Sequence, residues 1–328
     1  MPSDDVFDVF VDSKHRLWVS TEEGLVMFAS TQGPYDVSKA KWFTGQQGIP
    51  NLRCRGITEL HRKIFVATFG GGIGIGDSLA VQEGAQWKSV GATDGLASDR
   101  AYDVAADDSS IWIATSEGVS QYIDNEAIPL ENRVVDHSSD SEFGGGIFTS
   151  VIVHNDNLRG PEIWVSETPT DSVGVSLGGG IRVLGEGGIQ RFSTETSGIP
   201  SNSVNEVSYD PTRNLIWSAY PSDGAATVDV DSKIWTHYTD VDGLASNFGM
   251  SVAINPLNGG NWNAVGTVWI GTQDGVTRIE SDGTFQAYGE GSGLPNVRVR
   301  KVYVDSSGNL WLGFVDSGAA RVTGADDN

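Results

Sequence analysis

The sequence predicts an all-β fold: a single seven-bladed β-propeller of four-stranded antiparallel blades, with the last blade lacking its outer strand. Three observations carry this. A Trp-centred pattern of short alternating apolar runs and turns recurs seven times, at the period of about 40–50 residues expected of a propeller blade. The composition is turn-rich, with 42 Gly and ten Trp in 328 residues, and almost no apolar stretch has helical spacing. A Gly-Ile-Pro or Gly-Leu-Ala type turn closes most of the repeats.

The cleanest copy is Val302–Val322, VYVDSSGNLWLGFVDSGAARV. Period-2 alternation in each run places one side chain inward and the next outward, as in a half-buried strand. Blade one reads VFDVFVD, LWVST, LVMF and KWFTGQQGIP. Blade two reads RGITEL, IFVAT, GIGIG and QWKSVGATDGLA, with Phe65 in the Trp position. Blade three has AYDVAAD, IWIAT, VSQYI and NRVVDHSS, and blade four FTSVIVHN, IWVSE, GIRVL and IQRFSTETSGIP. Blade five has VNEVSYD, IWSAY, ATVDV and WTHYTDVDGLA, and blade six GMSVAIN, VWIGT, VTRI and FQAYGEGSGLP. Blade seven has VRKVYVD, LWLGF and AARV. The boundaries run 5–50, 51–97, 98–146, 147–200, 201–245, 246–295 and 296–328, within one domain spanning 1–328. Trp18, Trp112, Trp164, Trp217, Trp269 and Trp311 are expected between blades as core, because aromatics dominate burial. The exit turns (Gly48-Ile-Pro-Asn, Gly95-Leu-Ala-Ser, Gly198-Ile-Pro-Ser, Gly243-Leu-Ala-Ser, Gly293-Leu-Pro-Asn) use Gly for the reversal and Pro or Ala-Ser for an extended exit.

Met1-Pro2-Ser3-Asp4-Asp5-Val6 aligns with Ile199-Pro200-Ser201-Asn202-Ser203-Val204, so the chain starts inside such a turn. Blade seven has no run after Val322 to serve as an outer strand. The expectation is a chain cut from a longer one or a three-stranded last blade. In both cases the seam between blades seven and one exposes an unpaired edge.

Charge narrows the partners. A formal net charge of −22 repels phosphate backbones and anionic lipid, so nucleic acid is not an expected partner. No apolar run is long enough to span a bilayer, so direct membrane insertion is not expected either. The first residues lack the basic region and apolar core of a secretory signal. Cys54 is the one cysteine, which rules out an intramolecular disulfide. Strand alternation turns it away from Arg53 and Arg55, as a buried structural thiol.

Catalytic constellations are sparse. His15 and His61 sit in turns between first and second strands, His137 and His237 in outer strands, and His154 near the far end of an inner strand. No pair has metal-ligand spacing. Phe69-Gly-Gly-Gly-Ile-Gly-Ile-Gly76 resembles a phosphate loop, but no helix follows it. Asp12 and Asp305 end inner strands and are expected to cap their own turns. No cofactor is expected. Calcium could use such oxygens, although no complete helix-flanked ligand loop is present.

The expected site is topological. Blade-to-blade turns and second-to-third-strand hairpins share one face around the channel mouth, and loops on a rigid scaffold are where binding is placed. That face carries the expected ligand-binding residues Arg53, Arg55, Arg100, Phe248, Arg298 and Arg300. Glu22, Phe69, Glu117, Asp274 and Asp316 belong to its hairpins. Two insertions, Thr168–Leu177 and Ser138–Gly146, fall on the same face. A long turn at Asn255–Gly266 carries Trp262. The competing reading of the Arg cluster is pairing with carboxylates across blades.

The run Val268-Trp-Ile-Gly-Thr-Gln-Asp-Gly-Val-Thr-Arg278, with Gly293–Val322 and Ser201–Tyr238, resembles the two-component regulator propeller repeat, and the likeness extends over essentially the whole chain. In that family such propellers form periplasmic sensor halves of hybrid histidine kinases and also occur in secreted proteins. The resemblance implies a sensory or recognition propeller in the periplasm or outside the cell. It would bind an unknown small molecule, a glycan or a protein at the channel mouth. The chain departs from the kinase arrangement in having no transmembrane helix, no kinase motifs and no immunoglobulin-like strand region. A second, weaker similarity, to streptogramin lyase propellers, implies the alternative of a metal-assisted lyase or hydrolase at the same mouth. A third reading is a structural interaction domain of a larger exported protein.

Overall fold

A computed structural model describes residues 3–31, 36–78, 80–81, 84, 86–138, 143, 146–156, 160–169, 179–185, 187–255 and 264–322. Among these residues the strands form seven antiparallel sheets, six of four strands and one of three. Blade one comprises Val6–Val11, Leu17–Thr21, Gly24–Phe28 and Lys41–Phe43. Blade two comprises Cys54–Leu60, Lys63–Thr68, Gly72–Asp77 and Lys88–Val90. Blade three comprises Ala101–Ala106, Ser110–Thr115, Val119–Ile123 and Val134–Asp136. Blade four comprises Ile147–Asp156, Gly160–Thr168, Gly180–Gly185 and Gly188–Phe192. Blade five comprises Glu206–Asp210, Leu215–Tyr220, Gly224–Asp229 and Trp235–Tyr238. Blade six comprises Gly249–Ile254, Val268–Thr272, Gly275–Ile279 and Phe285–Tyr288. Blade seven has Val299–Val304, Leu310–Phe314 and Ala319–Val322.

The core is divided into seven apolar clusters, one at each interface between neighbouring blades. Each second-strand Trp, or Phe65 in blade two, lies in the cluster shared with the next blade. Trp18, Trp164 and Trp311 are among the largest fully buried side chains. A polar handle fixes several of the indoles. Trp18, Trp112 and Trp311 donate Nε1–H to Asp12, Asp107 and Asp305 at 2.8, 2.9 and 2.9 Å. The expected turn-capping role of Asp305 is also visible, because its Oδ1 accepts from the amides of Ser307 and Asn309. The aspartate therefore ties a strand-connecting turn to an inter-blade Trp.

The hairpin glycines have a steric reason. Gly275 has φ +138°, and a Cβ there would lie 2.1 Å from the Tyr288 carbonyl oxygen of the outer strand. Only a residue without a side chain lets the fourth strand approach.

The inner strands touch in sequence around the ring, blade seven against blade one included. That seam is held by Trp311 packed with Val9 and Val19, by Gly318 N–H donating to Asp4 O at 2.8 Å, and by Arg321 donating to Thr31 O at 2.9 Å. Among the described residues the last blade has three strands, as expected, and Ala319–Val322 is the outermost of them. Among the described residues no helix is long and apolar enough to cross a membrane.

Candidate functional site at the channel mouth

Each inner strand starts at the blade-to-blade turn and runs down the channel wall. In six of the seven, pairing with the second strand shifts register at one place: Val6/Asp8, Cys54/Ile57, Ala101/Asp103, Phe148/Ser150, Gly249/Ser251 and Val299/Lys301. In blade five Glu206 pairs with Ala219, while Asn205 N–H also reaches the Ala219 carbonyl at 2.9 Å. These are β-bulges, which re-aim side chains. Two successive residues then face the channel, where a regular strand would show one.

The first residues of the seven pairs are Phe7, Arg55, Tyr102, Thr149, Asn205, Met250 and Arg300. Together they line a funnel of about 420 Å³. The second residues form a ring just below: Asp8, Gly56, Asp103, Ser150, Glu206, Ser251 and Lys301. Phe248 completes the wall of the funnel on the blade-six side, 37% exposed.

The lower ring knits the blades together. Asp8 accepts from Ile57 N–H at 2.8 Å, Asp103 from Val151 at 2.9 Å and Glu206 from Val252 at 3.1 Å. Ser150 and Ser251 accept from Val207 and Val302 at 3.5 and 3.0 Å. Each contact passes from one blade to the next. Gly56 and Lys301 supply no such acceptor. The amides they would have served, Val104 and Val9, are instead satisfied by Asp103 and Asp8 of their own strands, both at 2.9 Å. An unpaired buried amide is costly, so each gap in the ring is matched by a local substitute.

Lys301 closes the ring electrostatically. Its Nζ lies 2.5 Å from Glu206 Oε1 and 3.3 Å from Asp8 Oδ1. Burial works against the ammonium, but the charges of Asp8, Glu206 and Asp103 outweigh it and hold the Lys301 pKa above its ordinary value. Burial pushes Asp103 up to about 7, despite the lowering effect of Lys301. Burial likewise raises Asp8, again against Lys301.

The mouth above has the opposite character. Arg55 and Arg300 lie over the Phe7 ring, 3.3 and 4.2 Å from its centroid. Phe69 is approached by Arg53, Arg55 and Arg100 at 5.3, 5.5 and 5.7 Å. Burial lowers the pKa of both Arg55 and Arg300. Glu22 offsets this for Arg55 while Arg300 and Arg53 add to it, and Asp5 offsets it for Arg300 while Arg298 adds to it. Guanidinium stays charged at any ordinary pH. The mouth therefore gathers several guanidiniums, with Glu22 and Asp5 as the carboxylates set against them.

Of the six residues expected to bind ligand, Arg55, Arg300 and Phe248 line the funnel. Arg53 is on the rim, paired with Glu22. Arg100 is beside Phe69, with no carboxylate partner among the described residues. Arg298 pairs with Asp316 at 3.1 Å, with both side chains largely exposed. Pairing across blades also occurs: Glu22 of blade one meets Arg53 and Arg55 of blade two, and Asp5 of blade one meets Arg300 at 2.6 Å. Sequence reasoning missed Phe7, Tyr102, Thr149, Asn205 and Met250, and the whole charged ring beneath them. A signal existed. Aligned on Val9, Ile57, Val104, Val151, Val207, Val252 and Val302, the inner strands put Asp8, Asp103, Glu206 and Lys301 in one column.

Other expected features fall elsewhere. Cys54 is fully buried, and burial pushes its thiol up to about 12. No histidine lines the funnel. His154 is buried against Tyr209, with ring centroids 4.0 Å apart. Residues 170–177 of one insertion and residues 139–142, 144 and 145 of the other lie outside the described residues, as does Trp262. Phe143 is described; it is fully buried and 6.0 Å from Phe148.

Residues 293–316 match the two-component regulator propeller family. The extracellular domain of a candidate hybrid two-component system from B. thetaiotaomicron is similar in structure. Its TM-score is 0.74 at 16% identity, over 98% of this chain and 40% of its own. A second such domain from the same organism gives 0.67 at 17%, over 97% and 38%. Streptogramin B lyase gives 0.68 at 11%, over 98% and 94%. Such identities establish a shared fold. The chain spans about two-fifths of the length of these two extracellular domains. No curated protein matches it significantly in sequence.

Proposed function

We propose that this propeller is a non-enzymatic recognition module, working in the periplasm or outside the cell, whose channel mouth binds a small ligand bearing an anionic group. The observation that carries this reading is the half-buried Arg55–Phe7–Arg300 cluster at the top of the funnel. Two guanidiniums present planar donor sets that match a carboxylate, sulfate or phosphate. They sit in a concave wall where an incoming anion is shielded from water. Thr149 and Asn205 offer hydrogen bonds to the body of the ligand, and Phe248 and Met250 offer an apolar face. The extracellular setting of the sensor domains that share the fold supports a sensory role.

The test is isothermal titration of a panel of carboxylated, sulfated and phosphorylated saccharides and simple organic acids, with and without calcium. A hit should lose at least about tenfold in affinity in Arg55→Ala and Arg300→Ala, because each removes a charge-assisted hydrogen bond. Arg298→Ala on the outer rim should bind nearly as the parent does. Equal loss in all three variants, or no loss in any, would reject the mouth as the site.

A further inference from the structure

The funnel is layered by charge. Its upper wall, on blades seven, one and two, carries the guanidiniums of Arg300 and Arg55, which can only donate. Its floor mainly accepts. Three carboxylates, Asp8, Asp103 and Glu206, and one ammonium, Lys301, reach that floor. On the blade-five wall Asn205 donates Nδ2–H to Gly249 O at 2.8 Å, so its Oδ1 remains an acceptor.

The four floor charges do not pair off. Lys301 stands three blades from Asp103 around the ring, and its Nζ is committed to Glu206 at 2.5 Å and Asp8 at 3.3 Å. Among the described residues no cation forms an ion pair with Asp103. Each Asp103 oxygen accepts one backbone amide, Oδ1 from Val104 and Oδ2 from Val151, both at 2.9 Å. A carboxylate oxygen has two lone-pair sites, so each keeps one in reserve. Tyr102 stands on the same bulge and lines the same funnel. An aromatic ring beside a carboxylate favours an organic ammonium. Among the described residues no three His, Cys, Asp or Glu side chains converge closely enough to hold a metal ion.

We propose that the funnel takes an amino-acid-like zwitterion, whose carboxylate meets Arg55 and Arg300 and whose ammonium descends to Asp103. This rests on the reading of the mouth as an anion site and adds what the other end of the ligand must be. The apolar wall of Phe248 and Met250 takes the chain between the two charges.

A linked proton follows. Burial pushes the Asp103 carboxyl up to about 7, against Lys301 and with Asp8 and Glu206 adding to the rise. Arg55 and Tyr102 are the ionisable groups above it, and blade four presents only Thr149 and Ser150 there. An ammonium arriving at protonated Asp103 takes the place of its proton, which leaves to solvent.

Isothermal titration at about pH 6.5, where Asp103 is mostly protonated, in buffers of differing ionisation enthalpy, reads both effects. The probes are L-α-amino acids, β-alanine, γ-aminobutyrate and ε-aminocaproate, each beside the carboxylic acid that lacks its amino group. At least one amino acid should bind at least about tenfold more tightly than its deaminated partner and release a proton. Asp103→Asn should erase the preference and the proton release together while the deaminated acid binds as before. Arg55→Ala should weaken both members of the pair. Equal affinities within every pair, or a preference that survives Asp103→Asn, overturn the zwitterion and leave the anion site standing. If no member of the series binds, the zwitterion falls; if the saccharides and organic acids named above fail as well, the anion site falls with it. Should Asp103→Asn not fold, the parent decides alone: proton release with the amino acid and none with its deaminated partner supports the pairing, and equal release rejects it.

Discussion

A Cβ built on Gly56 falls 2.2 Å from Oδ1 of Asp103, one blade further round the ring. The missing side chain is what allows the Asp103 carboxylate to occupy the space where a ring residue of blade two would stand. From there it serves both Val104 and Val151. Gly56→Ala should destabilise the protein by roughly 2 kcal/mol, in the range of overpacking, because backbone atoms of Asp103 and Val104 are also too close to move aside freely. A urea unfolding midpoint equal to that of the parent would contradict this.

Lys301 is the only cation in the lower ring, with its side chain 19% exposed and those of Glu206 and Asp8 15% and 9% exposed. Lys301→Met leaves those two carboxylates without their partner. The expected cost is about 3 kcal/mol at neutral pH, at the low end for a buried pair because water still reaches it. The cost should shrink toward pH 4, as Asp8 and Asp103 take up protons. Chemical denaturation of parent and variant at both pH values measures it.

Asp103 has a folded pKa of about 7, against an unfolded value of 3.8. The folded state therefore binds this proton more tightly than the unfolded state. The resulting stability is full below about pH 4 and is lost as pH rises through 7. Asp8 is shifted in the same direction. The parent should lose stability steadily between pH 4 and pH 7, and Asp103→Asn should flatten that slope. A rising stability over this window in the parent would refute the assignment.

Asp305 accepts from two turn amides and from the Trp311 indole, and is almost fully buried. Asp305→Ala should cost roughly 2–3 kcal/mol, since it orphans buried donors. Asp282 caps an exposed turn through Thr284 alone, so Asp282→Ala should cost under about 1 kcal/mol. Thermal unfolding of the two variants side by side tests the contrast.

Cys54 should resist iodoacetamide in the native protein at pH 8 and react on unfolding, because burial both raises its pKa and blocks access. Rapid native labelling would show that the inner strand of blade two opens readily.

The architecture was legible because its determinants are local and repeated. Trp18 through Trp311 recur at fixed offsets from Gly-containing hairpins, and period-2 alternation marks the strands. The missing outer strand of blade seven was legible for the same reason. The mouth was only half legible. Arg55, Arg300 and Phe248 were reachable by topology, but so were Arg53, Arg100 and Arg298, which line the rim or pair beside it. What separates Arg55 and Arg300 from Arg53, Arg100 and Arg298 is the register shift on which the first two stand, whereas Phe248 reaches the funnel from the rim position two residues before Met250. A bulge depends on pairing between strands, and strict alternation within one strand hides it. Alternation allows only one of Arg300 and Lys301 to face the channel, whereas both do.

The bulges have a consequence for how such a protein changes over time. Each returns its strand to register by the following Val or Ile, so the apolar packing between blades is set by residues other than those at the mouth. The seven mouth positions behave like the separate wheels of a combination lock, each set by one codon and carried on its own blade. Specificity can be rewritten largely wheel by wheel, with the apolar seams between blades left in place.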